Sequence, residues 1–66
     1  MHELLDSLNK GKWEMVSTQY INDVVPVRHI YWHVTTSDGI QHRVVTEQKY
    51  GSNDIYFYSV DNKKLN

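Results

Sequence analysis

The sequence predicts a small α+β protein, with a short N-terminal helix followed by a four-stranded antiparallel meander that is either open or curled into a barrel-like sheet. A leucine stripe near the N-terminus has helical spacing, four later segments are rich in β-branched and aromatic residues, and Asp38-Gly39 between two of them is a strong hairpin signal. The chain has 66 residues, which indicates one domain over residues 1–66 with a thin core.

The N-terminal helix is expected over residues 2–9. Leu4, Leu5 and Leu8 form a single apolar stripe at this spacing, and Gly11 is well placed as the C′ residue that ends the helix. A helix this short is not stable alone. Its stripe must therefore dock on the sheet of its own chain or on a second copy.

The strands are expected at about 13–21, 27–36, 40–47 and 55–60. Pro26 cannot donate a ladder hydrogen bond, so it belongs at the start of a strand or on a sheet edge. In the first strand we expect one face to carry Trp13, Met15 and Ile21, and the other Val16 and Tyr20. In the last strand we expect Ile55 and Phe57 to face inward and Tyr56, Tyr58 and Val60 to face outward. Residues 61–66 are expected to fray.

The register of the central hairpin depends on its loop. A two-residue Asp38-Gly39 turn pairs Ser37 with Ile40, whereas a three-residue loop with Gly39 left-handed pairs Thr36 with Ile40. The three-residue loop gathers five apolar residues on one face, and we predict it because each buried side chain is worth about 1.5–3 kcal/mol. Those residues are Ile30, Trp32, Val34, Ile40 and Val44. His42 is then the polar residue of this face, near its rim.

The opposite face of this hairpin is the best candidate for a binding surface, because it is polar, aromatic and partly cationic. Its predicted contact residues are Arg28, His29, Tyr31, His33 and Arg43. Tyr56 and Tyr58 form a second candidate patch, since tyrosine combines a large contact area with a polar group.

Catalytic, metal and cofactor sites are not expected. His29 and His33 are about 13 Å apart on a strand, too far to share one zinc ion. Ser37 and Asp38 are explained as turn residues, and no oxyanion or nucleophile-elbow motif accompanies them. The chain is therefore expected not to be an enzyme.

Charge and composition limit the partner classes. The formal net charge is −1 and there is no cysteine, which argues against binding of a phosphate backbone as the main activity and fits a reducing cytoplasm. No apolar run approaches the roughly 20 residues that a membrane span needs, so no membrane contact is expected.

The run Leu8-Asn9-Lys10-Gly11-Lys12-Trp13-Glu14-Met15-Val16-Ser17 resembles the "LN…GWELVS" segment of a family of small bacterial and phage domains. The resemblance covers these residues alone, and Lys12 stands where that family has the glycine before tryptophan. It implies a helix running into a strand and carries no site residue across.

The leading hypothesis is a non-enzymatic protein–protein interaction module, such as a small phage or bacterial inhibitor or accessory factor. The alternative is a small β-sheet protein that binds single-stranded nucleic acid, stacking bases on exposed tyrosines. We also expect a homodimer, because unpaired sheet edges and a short helix both favour pairing with a second copy.

Overall fold

The order of elements is one helix and then five strands, in a computed structural model that describes residues 2–65. They are α1 His2–Asn9, β1 Lys12–Ile21, β2 Val27–Thr35, β3 Gln41–Lys49, β4 Ile55–Val60 and β5 Lys63–Lys64. The strands lie in chain order in one antiparallel sheet. Over residues 2–65 the outer strands β1 and β5 do not pair with each other, so the sheet is open rather than closed. The α+β meander is confirmed, with one strand more than predicted.

The central hairpin has the predicted register. Thr36 N donates to Ile40 O at 3.0 Å, and Gly39 adopts a φ of 83° in the loop. Asp38 Oδ1 accepts from Ile40 N at 3.2 Å and also from the Thr36 hydroxyl, and these hydrogen bonds lower the pKa of Asp38, the Thr36 contact most. Pro26 lies directly before β2, as expected. Ile40 was expected in the core but is exposed, because it closes the hairpin loop at the end of the sheet, one residue before β3 begins.

Alternation along these strands gives the sheet a helix face and an open face. The helix face carries the core, in which α1 contributes Leu8. Trp13 Nε1 donates to Leu8 O at 2.8 Å, and Trp32 Nε1 donates to Thr46 Oγ1 at 2.9 Å, so both indoles are satisfied where they pack edge to face. The residues of the helix face that form this core are Trp13, Trp32, Val34, Val44, Phe57 and Val60.

Gly11 has a packing role and not the predicted capping role. Its φ is not positive, so it is not a left-handed C′ residue. A Cβ at this position would lie 2.8 Å from Thr35 O and 3.0 Å from a Val34 methyl group. Glycine is therefore required because the chain leaving α1 passes directly against β2.

A β-bulge at Val16 overturns the predicted alternation of β1. Met15 pairs with Trp32 while Ser17 pairs with Tyr31, so Val16 has no partner on β2. The extra residue shifts every later side chain to the other face. Tyr20 consequently shares the helix face with Trp13, and Ile21 lies on the open face, the reverse of the expectation.

A second bulge, at Tyr58, has the same effect on β4. Ser59 pairs with Val45 and Phe57 pairs with Thr46, so Tyr58 is the unpaired residue. Val60 was expected to face outward, but it is only 3% exposed and belongs to the core. Phe57 packs against the core as predicted, whereas Ile55 is exposed.

The C-terminal residues were expected to fray, but residues 61–65 are ordered into a hairpin. Asp61 and Asn62 have φ of 50° and 68°, the left-handed conformation that a two-residue type I′ turn requires at both positions. Lys63 and Lys64 then pair with Val60 and Ser59. Asn66 lies outside the described residues.

Candidate interaction surface

The open face consists of side chains that line up in rows across the sheet, on the side opposite α1. One row is Glu14, His33 and Arg43; a second is Ser17, Tyr31, Val45 and Ser59; a third is Gln19, His29, Glu47 and Tyr56. Neighbouring strands are about 4.8 Å apart, so members of a row are within contact distance of the same bound group. The structure therefore brings together five predicted contact residues, His29, Tyr31, His33, Arg43 and Tyr56.

The middle of this face is concave. A hollow of about 230 Å³ lies over Tyr31 and Val45 and is called the Tyr31 hollow. Tyr31 is half-buried, and its hydroxyl donates to Gln19 Oε1 at 2.7 Å. This hydrogen bond holds the ring across the sheet, where it forms one wall of the hollow. Trp32 and Val44 also border the hollow, although strand alternation directs their side chains to the helix face. The remaining residues that line it are Val16, Ser17, His33, Arg43, Ser59 and Asn62.

Arg43 supplies a cation at the edge of the Tyr31 hollow. The ion pairs found within residues 2–65 are His29–Glu47 and His42–Asp61, so no carboxylate of that range pairs with the guanidinium. The backbone of Arg43 is firmly placed, because its N–H donates to Asp61 Oδ1 at 3.0 Å and its carbonyl accepts from Asp61 N at 2.8 Å. An exposed cation on a fixed backbone is suited to binding a carboxylate or phosphate of a partner.

Asp61 joins the two faces at the end of β4. Its Oδ2 lies 2.7 Å from Nδ1 of His42, which is on the helix face near its rim as expected, while its Oδ1 binds the Arg43 amide. The pKa of Asp61 is lowered, chiefly by the hydrogen bond with His42 and further by the Arg43 amide, against an opposing effect of burial. The carboxylate thereby fixes the strand end from which Arg43 projects.

Tyr58 brings the second predicted patch onto the same surface. Its ring centroid is 4.3 Å from that of His29, and Lys64 Nζ lies 5.3 Å from the Tyr58 centroid. His29 is only 7% exposed, and its Nε2 is 3.9 Å from Glu47 Oε1. His29 therefore packs beneath the surface and offers little contact area to a partner. Tyr56 and Tyr58 extend the surface on the β4 side of His29.

Arg28 is a correction to the predicted contact set. It pairs with Gln48 and Tyr20, while the adjacent His29 pairs with Glu47 and Gln19. Successive residues of a strand point to opposite faces, so Arg28 lies on the helix face, where it lines a separate hollow of about 160 Å³ with Gln48 and Tyr50. It cannot act together with Arg43.

Charge is unevenly distributed between the faces. Strand register places four basic residues on the open face, Lys12, Arg43, Lys49 and Lys64, against two acidic ones, Glu14 and Glu47. The open face is thus net cationic although the whole chain has a formal charge of −1. The pattern is a mixture of both signs around the aromatic side chains, and most remaining acids lie in the helix and loops.

The carboxylates and histidines of the described part of the chain do not form a metal-binding cluster, and two of the aspartates have structural roles. No three His, Asp or Glu side chains of residues 2–65 converge as they would around a metal ion. Asp38 is used by the hairpin loop through Thr36 and Ile40, and Asp61 by the strand end described above.

Val45 was placed on this face from the sequence, but three other residues of the surface were not found. Gln19 looked like an ordinary strand residue, and its role depends on the register that places it near Tyr31. Asp61 and Lys64 lie in the segment that was expected to fray. The Asp61-Asn62 pair was the available signal, since both residue types tolerate the left-handed conformation of a type I′ turn.

Comparisons with protein-family models, with curated proteins and with solved structures find no match to this chain. Helix α1, the helix found within residues 2–65, lacks the length and apolar character that crossing a membrane requires.

Proposed function

We propose that this protein is a non-enzymatic protein-interaction module that binds its partner with the open face of the sheet. The observation that carries the proposal is the Tyr31 hollow beside Arg43, a guanidinium without a carboxylate partner among residues 2–65. The proposed protein is a bacterial or phage inhibitor or accessory factor that acts in the cytoplasm.

The composition of the surface supports a protein partner. Tyrosine and arginine are enriched in protein interfaces, and aromatic anchors that fill pockets supply much of the binding energy. A partner segment with an apolar side chain in the Tyr31 hollow and a carboxylate against Arg43 matches this surface. Tyr58 is already in contact with His29 and Lys64, which leaves less of its ring for stacking with a nucleic-acid base.

The test is a pull-down with tagged protein from a bacterial lysate, divided into nuclease-treated and untreated halves. We expect a stoichiometric protein that survives nuclease and is lost with the double variant Tyr31→Ala/Arg43→Glu. The matched control is Arg28→Glu, which makes the same change of charge on the opposite face and should leave capture intact. Equal capture by the double variant, with its fold intact, contradicts this assignment of the surface.

Binding of single-stranded nucleic acid is the second candidate, favoured by one observation. The open face is net cationic and carries three tyrosines, Tyr31, Tyr56 and Tyr58, which are the parts that such a surface uses. If the pull-down captures nucleic acid alone and this capture is lost on nuclease treatment, the result supports the nucleic-acid-binding hypothesis. A fluorescence-anisotropy titration with a mixed oligonucleotide at low salt excludes it if no binding occurs at high micromolar protein.

The homodimer is part of the proposal, but it rests on a different feature. The open face is argued to bind a partner protein, whereas pairing of two copies of this chain involves the edge of the sheet.

A further inference from the structure

The two edges of the sheet are protected to very different degrees. One edge is β5, which has only two residues, both lysine, and lysine on a short edge strand opposes pairing with other strands. The other edge is β1, which has ten residues and no proline. From Met15 to Ile21 it carries no charge at all, and it exposes 63% of Met15, 54% of Val16 and 54% of Tyr20. An uncharged, β-prone exposed edge invites another strand.

The surface area of the protomer is larger than the average for a folded monomer of its size. A folded monomer of 7.8 kDa exposes about 4,400 Å², whereas this chain exposes 5058 Å². The excess, about 700 Å², reflects an open, extended sheet in which β1 has no neighbouring strand on its outer side within residues 2–65. The radius of gyration is 12.2 Å, also above the roughly 11 Å expected for a compact domain of this length.

We infer that two copies of this chain pair through β1, antiparallel and about a twofold axis, to form one continuous sheet. The bulge at Val16 limits the regular ladder to Ser17–Ile21. An axis at Gln19 places Gln19 opposite its own copy and Thr18 opposite Tyr20 of the partner subunit, with side chains of each pair on the same face. A β-branched residue opposite an aromatic one is a favourable cross-strand pair.

A second copy fits this edge better than an unrelated strand for two reasons. The paired segment has no charged residue, so it meets itself without like-charge repulsion. Antiparallel pairing also uses the uncharged part of the exposed edge in both copies. The edges left outside are the lysine-bearing β5 and the start of β1, which carries Lys12 and Glu14. Such a twofold assembly is closed, and head-to-tail growth into filaments is opposed because β5 is short and charged.

The Tyr31 hollow lies next to this edge. Val16 and Ser17 form part of its lining, and Gln19, which would lie on the axis, holds the Tyr31 hydroxyl. The dimer therefore places the two open faces side by side in one sheet. The inference stands on β1 alone and does not depend on what the open face binds.

The test is sedimentation equilibrium across micromolar concentrations with the full chain and three variants at Thr18. We expect the wild type at about twice 7.8 kDa. Thr18→Lys should weaken dimer association by about tenfold or more, and Thr18→Val is a matched control that should remain dimeric. Mixing Thr18→Lys with Thr18→Glu should restore a dimer containing one copy of each, because the two positions lie diagonally across the axis.

Folding of each variant is checked by the near-ultraviolet circular dichroism of the Trp13–Trp32 pair, which packs against the core on the other side of the Val16 bulge from the paired segment Ser17–Ile21. A wild type that stays at 7.8 kDa throughout overturns the inference. So does a folded Thr18→Lys that dimerises as well as the wild type, or a mixture of the two charged variants that stays monomeric. The open-face proposal is unaffected by these outcomes, since its variants are Tyr31→Ala and Arg43→Glu.

Discussion

The two faces of the sheet differ most clearly at two consecutive valines of β3. Val44 points to the helix face, where it is buried with Leu8, Val34 and Val60. Val45 points to the open face, where it is half-buried and lines the Tyr31 hollow. Valine on the same strand therefore contributes to the core on one side of the sheet and to a partly exposed surface on the other.

Under the proposed function, stability is carried by the helix face and binding by the open face. A chain this small has a free energy of unfolding of only about 3–10 kcal/mol, and the cluster around Leu8 contains its largest fully buried side chains. Apart from Val27 and His29, the strand side chains of the open face are half-buried or exposed, so they can be changed at less cost to folding.

Loss of the helix contact should have the largest effect. Leu8→Ala removes the residue that α1 buries completely, and substitutions of this kind cost about 2–5 kcal/mol because they lose apolar contact and leave a cavity. We expect chemical denaturation, followed by tryptophan fluorescence, to show a large drop in the midpoint or no folded baseline. A loss below about 1 kcal/mol contradicts the claim that α1 is essential to the core.

The paired substitutions Val44→Ala and Val45→Ala compare the faces directly. Each removes the equivalent of two methyl groups, worth about 1.6 kcal/mol when fully buried, and Val44→Ala adds a cavity cost. We expect a loss of about 2–3 kcal/mol at Val44 and less than half of that at Val45. Equal losses in denaturant titrations show that the open face is covered in solution, as it would be by an additional partner.

The sequence predicts the regular part of this arrangement well. Helix α1 and the strands fall close to their expected ranges, and the β2–β3 hairpin has the predicted register because one turn signal joins two uninterrupted alternations. Tyr31, His33 and Arg43 were placed on one surface for the same reason. Arg28 was placed there wrongly, although strand alternation alone separates it from His29.

The irregular parts could not be predicted because a bulge has no distinctive residue. Val16 and Tyr58 are both typical strand residues, and each bulge depends on pairing with a neighbouring strand that the local sequence does not specify. One extra residue reversed the expected faces of Tyr20 and Val60. The role of Asp61 likewise depends on two residues of β3 that are distant in sequence.

The contact between His42 and Asp61 should have the smallest effect, because it lies at the boundary of the two faces and the Asp61 side chain is 47% exposed. The folded-state pKa of Asp61 lies below its ordinary value of 3.8. The carboxylate therefore stabilises the fold at pH above about 4, and this contribution disappears as the pH falls through the folded-state pKa. Solvent screening limits it to about 1 kcal/mol or less.

Asp61→Asn tests this contribution while keeping a residue that tolerates the left-handed turn conformation. In denaturant titrations at several pH values, the variant should be slightly less stable than wild type near neutral pH, and the two should converge below about pH 4. A double-mutant cycle with His42→Gln assigns the effect to the His42 contact if the two losses are not additive. A constant difference at all pH values instead attributes the loss to the turn, and Arg43 is then positioned by the hairpin backbone without help from the Asp61 charge.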